Sequence, residues 1–412
     1  MNLTQKRWFL LGVACLINLF AGSIYAWSVF AAPLAERLAG ITGAPVTPGD
    51  LAVAFSLANG LAPIPMIFGG AVNDRFGPRF VIPAGGLLMG AGLWFSGHAG
   101  SVSELVLTYG LFFGLGLGLV YGAAVNTTMK FFPDRRGLVG GLTTGAYGIS
   151  SVLLPPVAAH WIAAYGITSA LELVGMAVGA VIVAGGLLLR ACPPDFRPEG
   201  FVPAQTPGIA AGAQRDWRGM LRSREFLPML LLLTCGATAG MMVISQGFTI
   251  AKTQMGLDVA AASMAVSFVA LANTFGRLSA GAASDYLGRV RTLGLGLAVA
   301  IAGLGMLSLA GPDAAALFYL GLLSLGFSFG CFMGVYPGFT AQVFGSRNNS
   351  VNFGIMFAGF AIAGLLGPTL MKTLLAEGFT LTHCYTTAAA ISAAGFAAGF
   401  AAMAVYRRAA RG

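Results

Sequence analysis

Twelve apolar runs, each long enough to cross a lipid bilayer, constrain the fold of this chain more than any other feature. A helix needs about 20 residues to span roughly 30 Å of hydrocarbon. Runs of that length lie at 8–33, 50–72, 79–99, 103–129, 137–161, 167–189, 226–250, 259–284, 290–310, 314–342, 350–375 and 380–406. With 57% hydrophobic and 9% charged residues, the chain has more apolar surface than a soluble core needs. The pattern predicts an all-α membrane protein with twelve transmembrane helices.

The positive charges predict how the chain is oriented. If the N-terminus is inside, 19 of the 23 Lys and Arg residues lie in the tails and inner loops, whereas Arg37, Lys252 and Lys372 lie outside. The positive-inside rule then places both termini in the cytoplasm of a multi-pass protein of the cell membrane, inner or plasma. The net charge of +9 follows from this topology, and we expect no nucleic-acid partner.

The sequence divides into two similar halves. A polar, proline-rich segment at 191–225 predicts a cytoplasmic linker between six-helix bundles at 1–190 and 226–412. Glycines recur at every fourth position over 114–122 and again over 326–334, at an offset of 212 residues. Matches at one offset indicate duplicated, pseudo-symmetric bundles.

The two glycine stripes allow two interpretations. A face of glycines lets a neighbouring helix approach closely. Simple packing inside a bundle explains either stripe alone. The recurrence of the stripes at equivalent places in both halves favours helices that slide past one another.

An acid followed by basic residues recurs at the inner ends of the second and eighth runs, where Gly70-x-x-x-Asp74 matches Gly281-x-x-x-Asp285. Such an acid can cap the N-terminus of a neighbouring helix or pair with loop arginines, and so latch the cytoplasmic side in one state. The predicted latch residues are Asp74, Arg75, Arg79, Arg135, Arg136, Asp285 and Arg289. The alternative is that Arg75 and Arg79 only maintain topology.

These motifs carry a resemblance that extends over nearly the whole chain. The stretches "GGAVNDRFGPR" (69–79) and "GAASDYLGR" (281–289) resemble the G-x-x-x-D-R/K-x-G-R loops of the major facilitator superfamily. Within it, "GLGLGLVYGAAVNTTMKFFPDRRGLVGGLTTGAYG" (114–148) and "AGSIYAWSVFAAPL" (21–34) are similar to the monocarboxylate transporter and oxalate/formate antiporter group, although an acid common in the first-span motif is missing. The resemblance implies a transporter of two six-helix bundles.

One cation, Arg277, lies inside an apolar run, eight residues before Asp285 and so about 12 Å from the inner end of the helix. An arginine at mid-membrane costs about 2.5–3.5 kcal/mol, and the sequence has no acid at comparable depth to pair with it. Asn273, one turn away, offers only a dipole; by resemblance, Asn273-x-x-x-Arg277 takes the place of an Asp-x-x-x-Arg pair. We predict that Arg277 binds a carboxylate solute. The alternative is a packing strut bonded to backbone carbonyls.

Aromatic residues in other runs are expected to complete the binding cavity. The predicted contacts are Tyr25, Tyr121, Tyr147, Phe329 and Tyr336, of which the three in the first half match aromatic positions of the oxalate/formate group. Phe360 takes the place where the resemblance implies a second cation in an oxalate exchanger. One cation balances one carboxylate, so a small monocarboxylate is favoured, lactate or pyruvate first, with formate and acetate as alternatives.

We predict proton-coupled symport by alternating access, whereas the group that carries the proton is left open by the sequence. His383 is the candidate proton carrier; alternatively the proton enters on the substrate, or the protein exchanges anions. A sensor that binds without transporting is a further alternative. No metal-ligand cluster and no nucleophile with an adjacent base is present in the runs, so we expect neither an enzyme nor a cofactor. We expect the protein to act as a monomer in the lipid bilayer, with a small carboxylate and protons or a counter-anion as partners.

Overall fold

The computed structural model describes residues 3–194, 196–201 and 214–409, with side chains up to residue 401 and at residue 404. In the first half the helices are α1 Leu3–Ala21, α2 Trp27–Thr42, α3 Ala52–Leu61, α4 Pro63–Phe76, α5 Pro78–His98, α6 Val102–Leu105, α7 Gly114–Lys130 and α8 Arg136–Leu188. In the second half they are α9 Trp217–Leu221, α10 Phe226–Ile244, α11 Gly247–Met255, α12 Val259–Leu287, α13 Arg289–Leu309, α14 Ala315–Phe344, α15 Asn349–Ala376 and α16 Leu381–Ala409.

The helices account for the twelve predicted spans. Within the described residues, eleven helical segments are long and apolar enough to cross a membrane. One of them, the 53-residue α8, contains both the fifth and the sixth span. The two spans meet at Gly166, where a non-helical backbone with φ 78° kinks the segment. A positive φ is easily adopted by glycine, which has no Cβ. The prediction of an all-α membrane protein with twelve transmembrane helices is confirmed.

Several predicted spans contain breaks that hydropathy did not reveal. The run predicted at 226–250 is two helices, since α10 ends at Ile244 and α11 begins at Gly247. The first span changes to a 3₁₀ turn at Gly22–Ala26, and the fourth includes a π-helical stretch at Val106–Phe113. Hydropathy measures the free energy of transfer into lipid. It does not distinguish 3₁₀, α and π helices, whose backbone hydrogen bonds join residues three, four and five positions apart.

Local sequence fixes where many helices start and stop. The side chain of Asp258 accepts a hydrogen bond from Ala261 N at 2.7 Å and caps α12, and Ser101 caps α6 through Glu104 N. Gly43 and Gly256 end α2 and α11 in the left-handed conformation, at φ 67° and 66°, as is common at helix C-termini.

In the linker predicted at 191–225, residues 195 and 202–213 lie outside the described residues. Close to its end, Arg215 N donates to Phe344 O at 2.8 Å, and the Arg215 side chain pairs with Glu225 at 3.0 Å. Gln214 Oε1 accepts from Arg347 N at 2.8 Å. These contacts attach the end of the linker to the C-terminal end of α14.

The described chain forms two compact units that follow the predicted halves except at two helix starts. The first unit contains Met1–Pro133, Ala146–Glu199 and Asn348–Gly354, and the second contains Asp134–Gly145, Gly200–Arg347 and Ile355–Gly412. The start of α8 therefore packs with second-half helices, and the start of α15 packs with first-half helices. The domain bounds proposed from sequence stay a prediction.

The glycine stripes pack helices of the same half together. In the first unit, a Cβ at Gly114 of α7 would lie 2.7 Å from Ala58 Cα. In the second unit, a Cβ at Gly326 of α14 would lie 2.6 Å from Val269 O. Both distances are too short for a side chain, so the helices touch backbone to backbone. Both interpretations of the stripes need this close contact, so the sliding of these helices stays a prediction.

Candidate functional site

Arg277 lies in the middle of α12 with 2% of its surface exposed. Its Nε donates to Asn273 Oδ1 at 3.0 Å, and its Nη1 donates to the main-chain oxygen of Thr144 at 2.9 Å. Asn273 is one turn earlier on the same helix face, the spacing at which side chains of a helix meet. The guanidinium is thus oriented by one amide oxygen of its own helix and one carbonyl of α8.

The backbone around Arg277 is held on two sides by glycines. A Cβ at Gly141 of α8 would lie 2.5 Å from Arg277 O, and a Cβ at Gly334 of α14 would lie 2.9 Å from Arg277 Cα. Neither glycine can take a side chain without moving α12. Close packing of this kind fixes the position of the Arg277 backbone and so limits where the charge of its side chain can lie.

The observed bonds bear on the two interpretations of Arg277. The carbonyl of Thr144 is a main-chain partner of the kind that a packing strut would use. The second bond goes to a side-chain amide. Both of these acceptors are neutral oxygens, and they orient the guanidinium. A ligand role for Arg277 stays a prediction.

Three predicted tyrosines lie together in the first unit. The ring of Tyr147 is 5.3 Å from that of Tyr25 and 4.9 Å from that of Tyr121. Tyr25 belongs to the 3₁₀ turn, and Ser150 Oγ, one turn after Tyr147, donates to Gly22 O at 3.0 Å. Tyr121 is buried, whereas Tyr25 and Tyr147 are partly exposed. The cluster presents apolar ring surface together with phenol groups.

The predicted aromatic residues of the second half separate into two places in the second unit. The rings of Phe329 and Phe360 are 6.1 Å apart, and Phe357 stacks on Phe360 at 4.7 Å. Tyr336 packs instead against Phe339. Its hydroxyl donates to Met229 O at 2.6 Å. That bond uses the phenol to join α14 to α10, although a ligand role for Tyr336 stays a prediction.

His383, the candidate proton carrier, is exposed near the start of α16. Its Nδ1 lies 2.8 Å from Thr380 Oγ1, and its ring is 5.8 Å from that of Phe379. These are contacts within one helix terminus. They bring His383 to none of the other predicted site residues.

Asp285 caps the start of α8 in the second unit. Its two carboxylate oxygens accept from Gly137 N at 2.8 Å and from Leu138 N at 2.9 Å. These are N–H groups of the first turn, which lack partners inside a helix, and the helix dipole favours a negative charge there. Arg289 lies 3.4 Å from the same carboxylate and also donates to Gln342.

Asp74 makes the corresponding contacts in the first unit. It accepts from Ser350 N at 3.1 Å and Val351 N at 3.2 Å, at the start of α15. Ser350 Oγ and Lys130 Nζ each lie 2.7 Å from Asp74 Oδ1. The two caps are equivalent by sequence, because the acids are 211 residues apart and the capped groups are 213 residues apart.

The predicted latch arginines differ in their surroundings. Arg75 and Arg79 are exposed. Arg135 lies 3.9 Å from Asp134 with 55% of its side chain exposed, and Arg136 is the first residue of α8. The contacts of the two acids therefore go to helix starts more than to these loop arginines.

Sequence reasoning missed the partners Lys130, Gln342 and Ser350. Lys130 contacts Asp74 and Gln342 contacts the arginine beside Asp285. Lys130 and Gln342 are 212 residues apart, the offset of the glycine stripes, so the repeat itself was the signal that could have identified them. Among the described residues, no group of three His, Cys, Asp or Glu side chains is placed to hold a metal ion.

Comparison with known proteins identifies relatives over most of the chain. A family model described as Major Facilitator Superfamily matches residues 11–368. An uncharacterized MFS-type transporter of Escherichia coli (strain K12), YhjX, is 28% identical over 88% of this chain and 87% of its own length. The oxalate:formate antiporter of Oxalobacter formigenes is 27% identical over 89% and 84%. Monocarboxylate transporter 11 of Homo sapiens is 29% identical over 79% and 68%.

Solved structures agree on the fold. The transporter FucP of the same superfamily, in a crystal structure of its outward conformation, superposes with a TM-score of 0.70. The match covers 95% of this chain and 97% of FucP at 15% identity. At that identity the likeness supports the fold alone.

The capping contact of Asp285 gives a stability prediction. Asp285→Asn keeps the shape of the side chain but removes the charge that the N-terminus of α8 favours, so we expect a loss of about 1–2 kcal/mol of unfolding free energy. Thermal unfolding of the purified protein in detergent measures it. Asp313→Asn, at an exposed acid, is the control. Equal unfolding temperatures for both variants and the parent protein would contradict the capping role of Asp285.

Proposed function

Because the chain belongs to the major facilitator superfamily, we propose that it is a secondary active transporter of small monocarboxylates of the L-lactate or pyruvate type. The observation that carries the proposal is the buried guanidinium of Arg277, oriented by Asn273 Oδ1 and Thr144 O. A guanidinium binds a carboxylate through two parallel hydrogen bonds. Relatives named as carriers of oxalate and formate and of monocarboxylates support the same class of solute.

The number of charges favours a monoanion. Arg277 supplies one buried positive charge, and a second carboxylate would need a second cation, since an unpaired charge in a poorly hydrated site is costly. At Phe360, where the resemblance to oxalate exchangers implies that second cation, the structure has an aromatic ring beside Phe357 and Phe329. Ring surface suits the short apolar end of lactate or pyruvate.

Proton-coupled symport is the coupling we propose. Arginine does not titrate near neutral pH, so the proton is not carried by Arg277. The proton accompanies the bound carboxylate, which stays ionised beside the guanidinium. Transport of anion and proton together is electroneutral. His383, exposed near the start of α16, is the candidate side chain for carrying the proton. Anion exchange is the second candidate function, favoured by the relative named as an oxalate:formate antiporter.

Alternating access supplies the transport step. In our proposal Asp285 and Asp74 stabilise one state by capping the starts of α8 and α15. Each cap joins residues of different sequence halves, so reorientation of the bundles requires both to open. Binding of the carboxylate supplies the differential interaction energy that shifts the equilibrium between the two states.

Uptake by reconstituted vesicles tests the function. With radiolabelled L-lactate outside, an inward proton gradient should stimulate uptake if the protein is a symporter, and unlabelled acid inside should stimulate it if the protein is an exchanger. Arg277→Lys, which loses the planar fork, should lower uptake by at least about tenfold. Arg190→Lys, at an exposed arginine, is the control. Undiminished uptake by the Arg277 variant would refute the assignment of the site.

Asn273 gives a sharper prediction about the charge of the site. Asp in its place would keep the 3.0 Å contact with Arg277 Nε but cancel the positive charge. Lactate uptake by Asn273→Asp should therefore be lower than that of the parent protein, because the guanidinium keeps the new carboxyl ionised and paired with it. Initial uptake rates at one fixed pH measure this. Asn273→Ala, which adds no charge, should retain more uptake than Asn273→Asp; equal uptake by Asn273→Asp and the parent protein would contradict the proposal.

A further inference from the structure

An apolar groove of about 400 Å³ lies in the second unit, where the ends of α10, α12 and α16 meet the start of α13. Its walls include Leu232, Leu287, Leu295, Ala298, Phe396 and Phe400. We name it the α13–α16 groove. It is separate from Arg277 and from the predicted aromatic contacts, none of which lines it.

Two glycines create the depth of the α13–α16 groove. A Cβ at Gly294 of α13 would lie 3.3 Å from the ring of Phe396, and a Cβ at Gly399 of α16 would lie 3.2 Å from Leu232 Cδ1. With no side chain at either position, the two helices leave a slot between larger residues. The slot is a feature of the sequence, since an alanine at either position would tighten it.

The walls of the groove are suited to lipid. Leu295 is 58% exposed, Phe400 52% and Leu287 49%, and each belongs to a helix long and apolar enough to span a membrane. An exposed apolar face on such a helix contacts hydrocarbon, whereas a path for a polar solute needs polar groups along it. Arg291 is the charged residue of the lining.

Arg291 gives the groove a charge at one end. It is exposed and makes no hydrogen bond or ion pair with any residue that the structure describes. Its neighbour Arg289 is bonded to Asp285 and Gln342, so the charge of Arg291 is not offset by that acid. Tyr286, in the last turn of α12, is 88% exposed. Tyrosines are common at membrane interfaces, where the ring contacts lipid and the hydroxyl contacts water.

We propose that the α13–α16 groove binds an anionic phospholipid, with its phosphate on Arg291 and one acyl chain between α13 and α16. From Arg291 to Ala298 the helix rises about 10 Å, enough to carry the chain from the interface into the hydrocarbon. The positive-inside prediction places Arg291 at the cytoplasmic leaflet, where anionic lipids attract juxtamembrane cations. Leu287, which lines the groove, is two residues from Asp285, so the bound lipid contacts the end of α12 that carries this acid.

Native mass spectrometry of the full chain tests the proposal. The protein is released from micelles that contain equal amounts of phosphatidylglycerol and phosphatidylcholine with identical acyl chains. We expect preferential retention of one phosphatidylglycerol, and about fivefold weaker retention in Arg291→Gln. Arg190→Gln, at another exposed arginine near an inner helix end, should behave as the parent protein. Ala298→Phe, which fills the groove from its exposed side, should lose both lipids.

Three results would overturn the proposal. Equal retention of the two lipids by the parent protein would remove the anionic selectivity. Unchanged retention in Arg291→Gln would separate Arg291 from the phosphate. A dimer that Ala298→Phe disrupts would assign the groove to a second copy of the chain. Lactate uptake is measured in the same preparations, so a failure of the lipid proposal is distinguishable from a failure of the transport proposal.

Discussion

The interaction on which the account depends is the pair of bonds that orient Arg277 inside α12. Placing an arginine at mid-membrane costs about 2.5–3.5 kcal/mol, and Asn273 and Thr144 offset part of this cost with neutral oxygens. Glycines 141 and 334 bring α8 and α14 against the same turn of helix. The consequence is a buried positive charge whose position is set by packing, and we propose that this charge binds the carboxylate of the substrate.

We propose that the two aspartate caps couple this candidate site to a conformational change. Asp285 is two turns beyond Arg277 on α12, and the helix that it caps also supplies the Thr144 carbonyl. A change in the contact between α8 and α12 therefore affects both the cap and the arginine. The cap of Asp74 on α15 repeats the arrangement in the first unit. These two equivalent contacts are the ones that the proposed conformational change would open.

The sequence predicted the spans well because apolar length is itself the physical requirement for crossing a bilayer. Breaks at Ser245 and Gln246 were missed, since hydropathy carries no information on backbone bonding. The burial of Arg277 and its contact with Asn273 followed from spacing on a helix. The contact with the Thr144 carbonyl could not be predicted, because every residue has a main-chain carbonyl and the sequence does not show which one accepts the bond. For Tyr336, sequence could not reveal that Met229 O accepts the bond from its hydroxyl.

The most direct measurement compares binding of L-lactate and of its neutral amide, lactamide, to the purified protein by titration calorimetry. The two molecules have nearly the same shape, and the amide lacks the negative charge. If the charge of Arg277 is neutralised by the substrate, lactate binds and lactamide does not, and Arg277→Met abolishes that difference. Equal affinity of the parent protein for both molecules would contradict the account.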